Sequence, residues 1–197
     1  MKIDALTVGP LSTNCYIVYH DGSDQAVVID PGANADKIRA ALAGKAPAAV
    51  LLTHGHFDHT GALHAFAGTP IYIHPADEIM LTDQQWSAGD MVRDAAPRPP
   101  ATDYVMEGSR LFLAGLDIRV MHLPGHTKGS VAYLIGDTLF SGDTMFHNGF
   151  GRTDFPGGSQ QELRHSIWRL LNLEKNWIVC PGHGETTTIR AERAYYL

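Results

Sequence analysis

Cysteine is nearly absent: the 197 residues include only Cys15 and Cys180. Two unpatterned thiols cannot build a disulfide framework, so both are expected as small buried residues in a protein of the reducing cytoplasm. No apolar run reaches the roughly 18 residues that a membrane span needs. The start, Met1-Lys2-Ile3-Asp4, passes into a strand-like alternation instead of a charged segment, an apolar core and a cleavage site, so neither membrane insertion nor export is expected. Basic charge is scarce too. Lys plus Arg number 15 against 21 Asp plus Glu, a net charge of -6, and without a basic block nucleic acid is a poor partner. The chain is too short for two ordinary independent domains, so residues 1–197 are read as a single domain, with monomer and homodimer both open.

What the chain has in quantity is histidine, 11 residues in all. Four potential metal ligands crowd into Thr53-His54-Gly55-His56-Phe57-Asp58-His59, directly after the apolar run 48–52 and before a segment of helical spacing that starts at Thr60. In an extended segment His54, His56 and Asp58 share one side, and His59 can turn toward the same space. Three further residues occupy Gly-rich turns after apolar strands: His126 after Leu123-Pro124-Gly125, Asp143 after Ser141-Gly142, and His183 after Pro181-Gly182. Five imidazoles and two carboxylates exceed the four ligands of one tetrahedral ion, which implies two ions. His54, His56 and His126 would hold one, Asp58, His59 and His183 the other, with Asp143 bridging. With no thiolate in the set, zinc, iron and manganese all remain open.

Strands are expected over 2–8, 13–20, 25–30, 48–52, 71–73, 104–107, 110–113, 116–122, 130–135, 138–141 and 177–180, and helices over 34–42, 75–82, 160–171 and 188–195. The two halves repeat one plan, with strand 104–107 opening the second, so two sheets between helices are expected. Asp30, closing an apolar strand, is read either as a partner for a ligand histidine or as a plain turn carboxylate. The proline-rich connection 83–102 is read as a candidate lid, with Trp86 and Met91 facing substrate or packed.

The His-x-His-x-Asp-His pattern, followed in order by His126, Asp143 and His183, resembles the metallo-β-lactamase superfamily over essentially the whole chain. The resemblance implies an α+β fold of αββα sandwich type with a binuclear site at one edge of the sheets. Leu123-Pro-Gly-His-Thr-Lys-Gly-Ser130, Ser141-Gly-Asp-Thr-Met-Phe146 and Cys180-Pro-Gly-His-Gly184 look like glyoxalase II, the hydroxyacylglutathione hydrolases, in their short bacterial form. True β-lactamases resemble the chain less, because they lack the bridging aspartate. The long glyoxalases carry a C-terminal helical region with cationic glutathione contacts, whereas this chain ends at Leu197. Arg152 and Asp154 occupy places that those enzymes give to a basic residue and a tyrosine, and Glu185 replaces another tyrosine.

The activity so implied is hydrolysis of thioesters, foremost 2-hydroxyacyl glutathione such as S-lactoylglutathione, by a hydroxide between two divalent ions, zinc first among them. Asp58 would orient the nucleophile and take its proton. Arg152 is a candidate contact for the glutathione carboxylates, an internal pair with Asp154 being the other reading, and His147 is a candidate pocket residue. A mononuclear iron persulfide dioxygenase and a non-enzymatic metal-binding protein are the rival functions.

Overall fold

The computed structural model describes residues 1–92 and 98–196. The first sheet comprises β1 (Lys2–Val8), β2 (Thr13–Tyr19), β3 (Gln25–Ile29), β4 (Ala46–Leu51), β5 (Ile71–Ile73) and β6 (Asp103–Tyr104), ordered β1-β2-β3-β4-β5-β6. β1 to β3 form an antiparallel meander, and β3 to β6 run parallel. The second sheet comprises β7 (Arg110–Leu113), β8 (Leu116–His122), β9 (Val131–Ile135), β10 (Thr138–Gly142), β11 (Ile178–Pro181) and β12 (Thr187–Thr188), ordered β12-β11-β10-β9-β8-β7. Among the described residues its strands pair antiparallel except β10 with β11, which run parallel.

Strands β2, β3, β9 and β10 are buried almost throughout because both of their faces are covered, whereas β1 and β8 alternate with exposed positions. Along β2 and β3 the period-two alternation sorts side chains into two cores. Tyr16, Val18, Val27 and Ile29 face the inner layer with Ile118, Val120, Tyr133 and Phe140 of the second sheet. Cys15, Ile17, Ala26 and Val28 face outward to Ile38 and Leu42, at helix α1 (Ala35–Ala41), and to Leu63 and Phe66. On the far side, Leu163, Ile167, Leu170 and Leu171 of α3 (Gln160–Leu171) cover the second sheet together with Ile189 of α4 (Ile189–Tyr196). Helix α2 (Phe57–Thr60) is a single turn. The result is the four-layer αββα arrangement. Among the described residues no helix is long and apolar enough to cross a membrane.

Three expectations need correction. Of the expected strand 104–107 only Tyr104 is strand, in β6 (Asp103–Tyr104), and β6 belongs to the first sheet and not the second half, pairing in parallel with β5 across the long connection that a parallel pair requires. The segment read as helix 75–82 is a 3₁₀ helix, Pro75–Leu81, with His74 Nδ1 accepting from Ala76 N at 3.2 Å and Asp77 turned fully inward. Asp58 and His59 stand on the single turn α2, which ends at Thr60 where the helical segment was expected to start, and only a 3₁₀ turn, Leu63–Phe66, follows. Part of the 83–102 connection, residues 93–97, lies outside the described residues. Of its two aromatic and sulfur candidates, Trp86 packs under Lys128, whose Nζ is 5.5 Å from the ring centroid, while Met91 lines the cleft described next.

Candidate metal centre

Every predicted ligand follows the carboxyl end of a strand, and the two sheets are stitched together at that edge. Val131 N donates to Thr53 O at 2.8 Å, Asn14 N to Gly182 O at 2.7 Å, and the Tyr133 hydroxyl to Leu52 O at 2.8 Å. Loops far apart in sequence therefore face one another, and all seven predicted ligands converge.

Three overlapping donor groups result: two match the predicted sets, and the third, His54 with His59 and Asp143, joins them. In the first, His126 Nε2 lies 2.9 Å from His56 Nδ1 and 3.2 Å from His54 Nε2. In the second, Asp58 Oδ2 lies 3.2 Å from His183 Nε2 and 3.5 Å from His59 Nε2. Asp143 stands between the groups, with Oδ1 3.4 Å from His59 Nε2 and Oδ2 3.5 Å from both His126 Nε2 and His183 Nε2. Two nitrogens each about 2.0–2.1 Å from one tetrahedral zinc are about 3.3 Å apart, so these spacings fit donors arranged around a cation.

The hydrogen-bond shell aims the lone pairs inward. His126 Nδ1 donates to Arg152 O at 2.7 Å, His183 Nδ1 to Leu11 O at 3.1 Å and His59 Nδ1 to Asp30 Oδ2 at 2.9 Å, which leaves each Nε2 free for the centre. Thr53 Oγ1 gives its proton to Asp30 Oδ2 at 2.6 Å and so accepts from His54 Nδ1 at 3.1 Å. Asp30 thus takes the histidine-partner reading. Thr13 Oγ1 donates to Asp58 Oδ2 at 2.8 Å. His56 Nε2, His59 Nε2 and Asp143 Oδ1 are buried without any hydrogen-bond partner, which polar atoms in a protein interior seldom are. Orphaned donors, ligand-like spacings and an all-nitrogen-and-oxygen set fit divalent cations, whether zinc, iron or manganese.

Charge follows the same division. Burial, then His59, His126 and His56, hold His54 well below the usual imidazole range, and burial with His126 brings His56 down to about 3. Burial also opposes a charge on His59, yet Asp58, Asp143 and Asp30 carry it well above its usual value. Burial of His183 is outweighed by its hydrogen bonds to Asp143 and Asp58, which raise it to about 9. Burial favours protonated carboxyls, but His59 and the His183 hydrogen bond reverse this, leaving Asp58 at about 2 and Asp143 well below the carboxylate range. Without an ion, protons on His59 and His183 balance the two carboxylates.

The centre opens on a cleft of about 340 Å³ whose walls include Leu11, Phe57, Met91, Val92, Phe146 and Phe155, with Arg152 at its side. Arg152 holds Asp154 through two 2.6 Å hydrogen bonds and lies over the Phe155 ring at 4.0 Å, its side chain 53% exposed. His147 does not line this cleft. The Phe146 N to Gly149 O hydrogen bond, 2.8 Å, closes a tight turn that sends His147 outward, its Nδ1 3.9 Å from Glu185, while Phe146 takes the inner position. Cys15 and Cys180 are buried, and burial raises both thiols. Sequence reasoning missed Thr13 and Asp77. Thr13 reads as an ordinary strand former, and Asp77 as a first-turn helix charge, so no local signal marks either.

Residues 8–183 match the family model of the metallo-beta-lactamase superfamily. The hydroxyacylglutathione hydrolase GloC of Haemophilus influenzae is 35% identical over 98% of this chain and 95% of its own. Among solved structures, the BLEG-1 B3 metallo-beta-lactamase superposes with a TM-score of 0.92 at 35% identity, over 98% of this chain and 97% of its own. TTHA1623 in a di-iron-bound form superposes with a TM-score of 0.85 at 38% identity, over 96% of each chain. A protein described as a lactamase is therefore among the close structural matches, against the expectation that lactamases resemble the chain less.

Proposed function

The chain belongs to the metallo-β-lactamase superfamily, and from that premise we propose that it is a binuclear metallohydrolase of thioesters, with 2-hydroxyacyl glutathione as its first substrate class. The observation that supports this reading is the convergence of five histidines and two aspartates, with Asp143 within 3.5 Å of donors from both sets, at the foot of the cleft. The relative GloC and the three glyoxalase-like segments support the choice of substrate.

His54, His56 and His126 would hold one ion and Asp58, His59 and His183 the other, with Asp143 shared. Bound divalent ions would supply a water of pKa near 7 and polarise the acyl oxygen. The chain's own groups do the rest. Leu11, Phe57, Phe146 and Phe155 exclude bulk water around the acyl carbon, and Asp58, fixed by the Thr13 hydroxyl, orients the attacking water and accepts its proton. The water oxygen bonds to the acyl carbon, the C–S bond breaks, and the acid and the thiolate leave.

Elemental analysis of loaded protein together with a substrate panel tests this. Close to two ions per chain and thiol release from S-lactoylglutathione are expected. A ceiling of one iron with oxygen uptake on glutathione persulfide would make it the dioxygenase. Turnover of a β-lactam alone would make it a lactamase, and bound metal without any turnover a binding protein.

Loading should also stabilise the fold. An ion at 100 times its Kd adds about 2.7 kcal/mol, or roughly 5–10 °C in Tm for a chain of this size. A melting temperature indifferent to zinc and to chelation would mean that the cluster holds no ion.

Arg152→Ala asks whether the guanidinium serves substrate as well as Asp154. As an anchor for glutathione carboxylates it should, when lost, raise KM about ten-fold (about 1.4 kcal/mol) with little change in kcat, and leave an uncharged thioester unaffected. An equal loss on both substrates, or a lower Tm at unchanged KM, makes it a structural pair.

A further inference from the structure

Asp77 touches none of the donor atoms, yet it is fully buried (0% exposed) on the 3₁₀ helix Pro75–Leu81. A buried carboxylate persists only when its oxygens are well satisfied. Its partners are specific. Oδ2 accepts from Gly55 N at 3.2 Å and from the Thr127 hydroxyl at 2.6 Å, and Oδ1 accepts from Gly129 N at 2.7 Å. Gly55 sits between His54 and His56, and Thr127 directly follows His126.

Close approach makes these contacts possible. A Cβ on Gly129 would fall 2.6–2.9 Å from the Asp77 side chain, and one on Gly55 would fall 2.5 Å from Met80 Cβ and 3.0 Å from Asp77 O. Both loops reach the carboxylate only because neither donor carries a side chain.

The second donor group has other supports: Asp30 for His59, Thr13 for Asp58 and the Leu11 carbonyl for His183. Asp30 also reaches His54 through Thr53 and so serves both groups.

We propose that Asp77 is a positioning residue for one ion only: it fixes the His54–His56 loop against the His126 loop and thereby sets the geometry of the first donor group. This rests on the two-ion reading above. Removing such an outer support costs metal affinity by about 10- to 100-fold. Asn in its place keeps the size but presents an N–H toward at least one of three donors, so it cannot accept from all of them.

The experiment is stepwise competition of zinc between a chromogenic chelator and the purified, metal-free protein, with circular dichroism recording fold and Tm. In Asp77→Asn one binding step should weaken about 10- to 100-fold while the other stays at the parent value. Thr127→Val, which removes a single hydrogen bond, should weaken the same step by less, and it carries the test if Asp77→Asn does not fold. Asp30→Asn is the comparator and should weaken both steps. If Asp77→Asn weakens both steps equally, or neither, the assignment is overturned. A parent that takes a single ion overturns the two-ion reading instead, so the two failures are told apart before any variant is made.

Discussion

Asp143→Ala is expected to be the most damaging single substitution in the protein, with loss of metal and of thioester turnover beyond the roughly 10- to 100-fold that follows removal of an outer support. The reason is placement. One carboxylate approaches His59 through Oδ1 and both His126 and His183 through Oδ2, so its removal takes a donor from each group at once. It also removes a negative partner from His59, whose imidazole is held charged by Asp58 and Asp143 in the metal-free cluster. Metal content and kcat/KM should both collapse, whereas Asp77→Asn or Thr13→Val leaves part of each. A variant that kept two ions and parental turnover would show that Asp143 bridges nothing.

Gly182→Ala should come next, through sterics alone. A Cβ there would lie 2.0 Å from Asp143 Oδ1 and 2.8 Å from His59 Cε1. The backbone cannot retreat, because Gly182 N donates to Gly142 O at 2.8 Å and Gly182 O accepts from Asn14 N at 2.7 Å. The methyl must therefore displace the carboxylate, at an overpacking cost of about 1–3 kcal/mol. A catalytic group misplaced by about 1 Å costs on the order of 100-fold in rate. Lower Tm, altered metal stoichiometry and reduced kcat are expected together. Parental values of all three would mean that the Asp143 side chain has slack.

The strands were legible where both faces are covered, since runs such as Val27-Val28-Ile29 and Val50-Leu51-Leu52 have no polar alternation to dilute them. The ligands were legible because His and Asp directly after apolar strands are chemically out of place unless they share a task. What the sequence hid lies in long-range choices. The partner of β6 depends on a crossover of nearly thirty residues whose path no local pattern dictates. The outward turn of His147 depends on one backbone hydrogen bond, and the pairing of Arg152 with Asp154 satisfies either reading of that loop. Asp77 and Thr13 act through contacts made 50 and 45 positions away, so their roles exist only in the folded chain.

The order of the donors along the chain has a consequence for how the protein is made. His54, His56 and His126 are synthesised well before His183, and the 57 positions that separate His126 from His183 take about 3–11 s at roughly 5–20 residues per second. A nascent chain can thus present the three-histidine group while the other still lacks one of its members. β11, which delivers His183, pairs directly with β10, which delivers Asp143. The last strand to join the second sheet's interior is also the one that completes the surroundings of Asp143, so on the proposed two-ion reading uptake of the second ion would coincide with closure of the sheet.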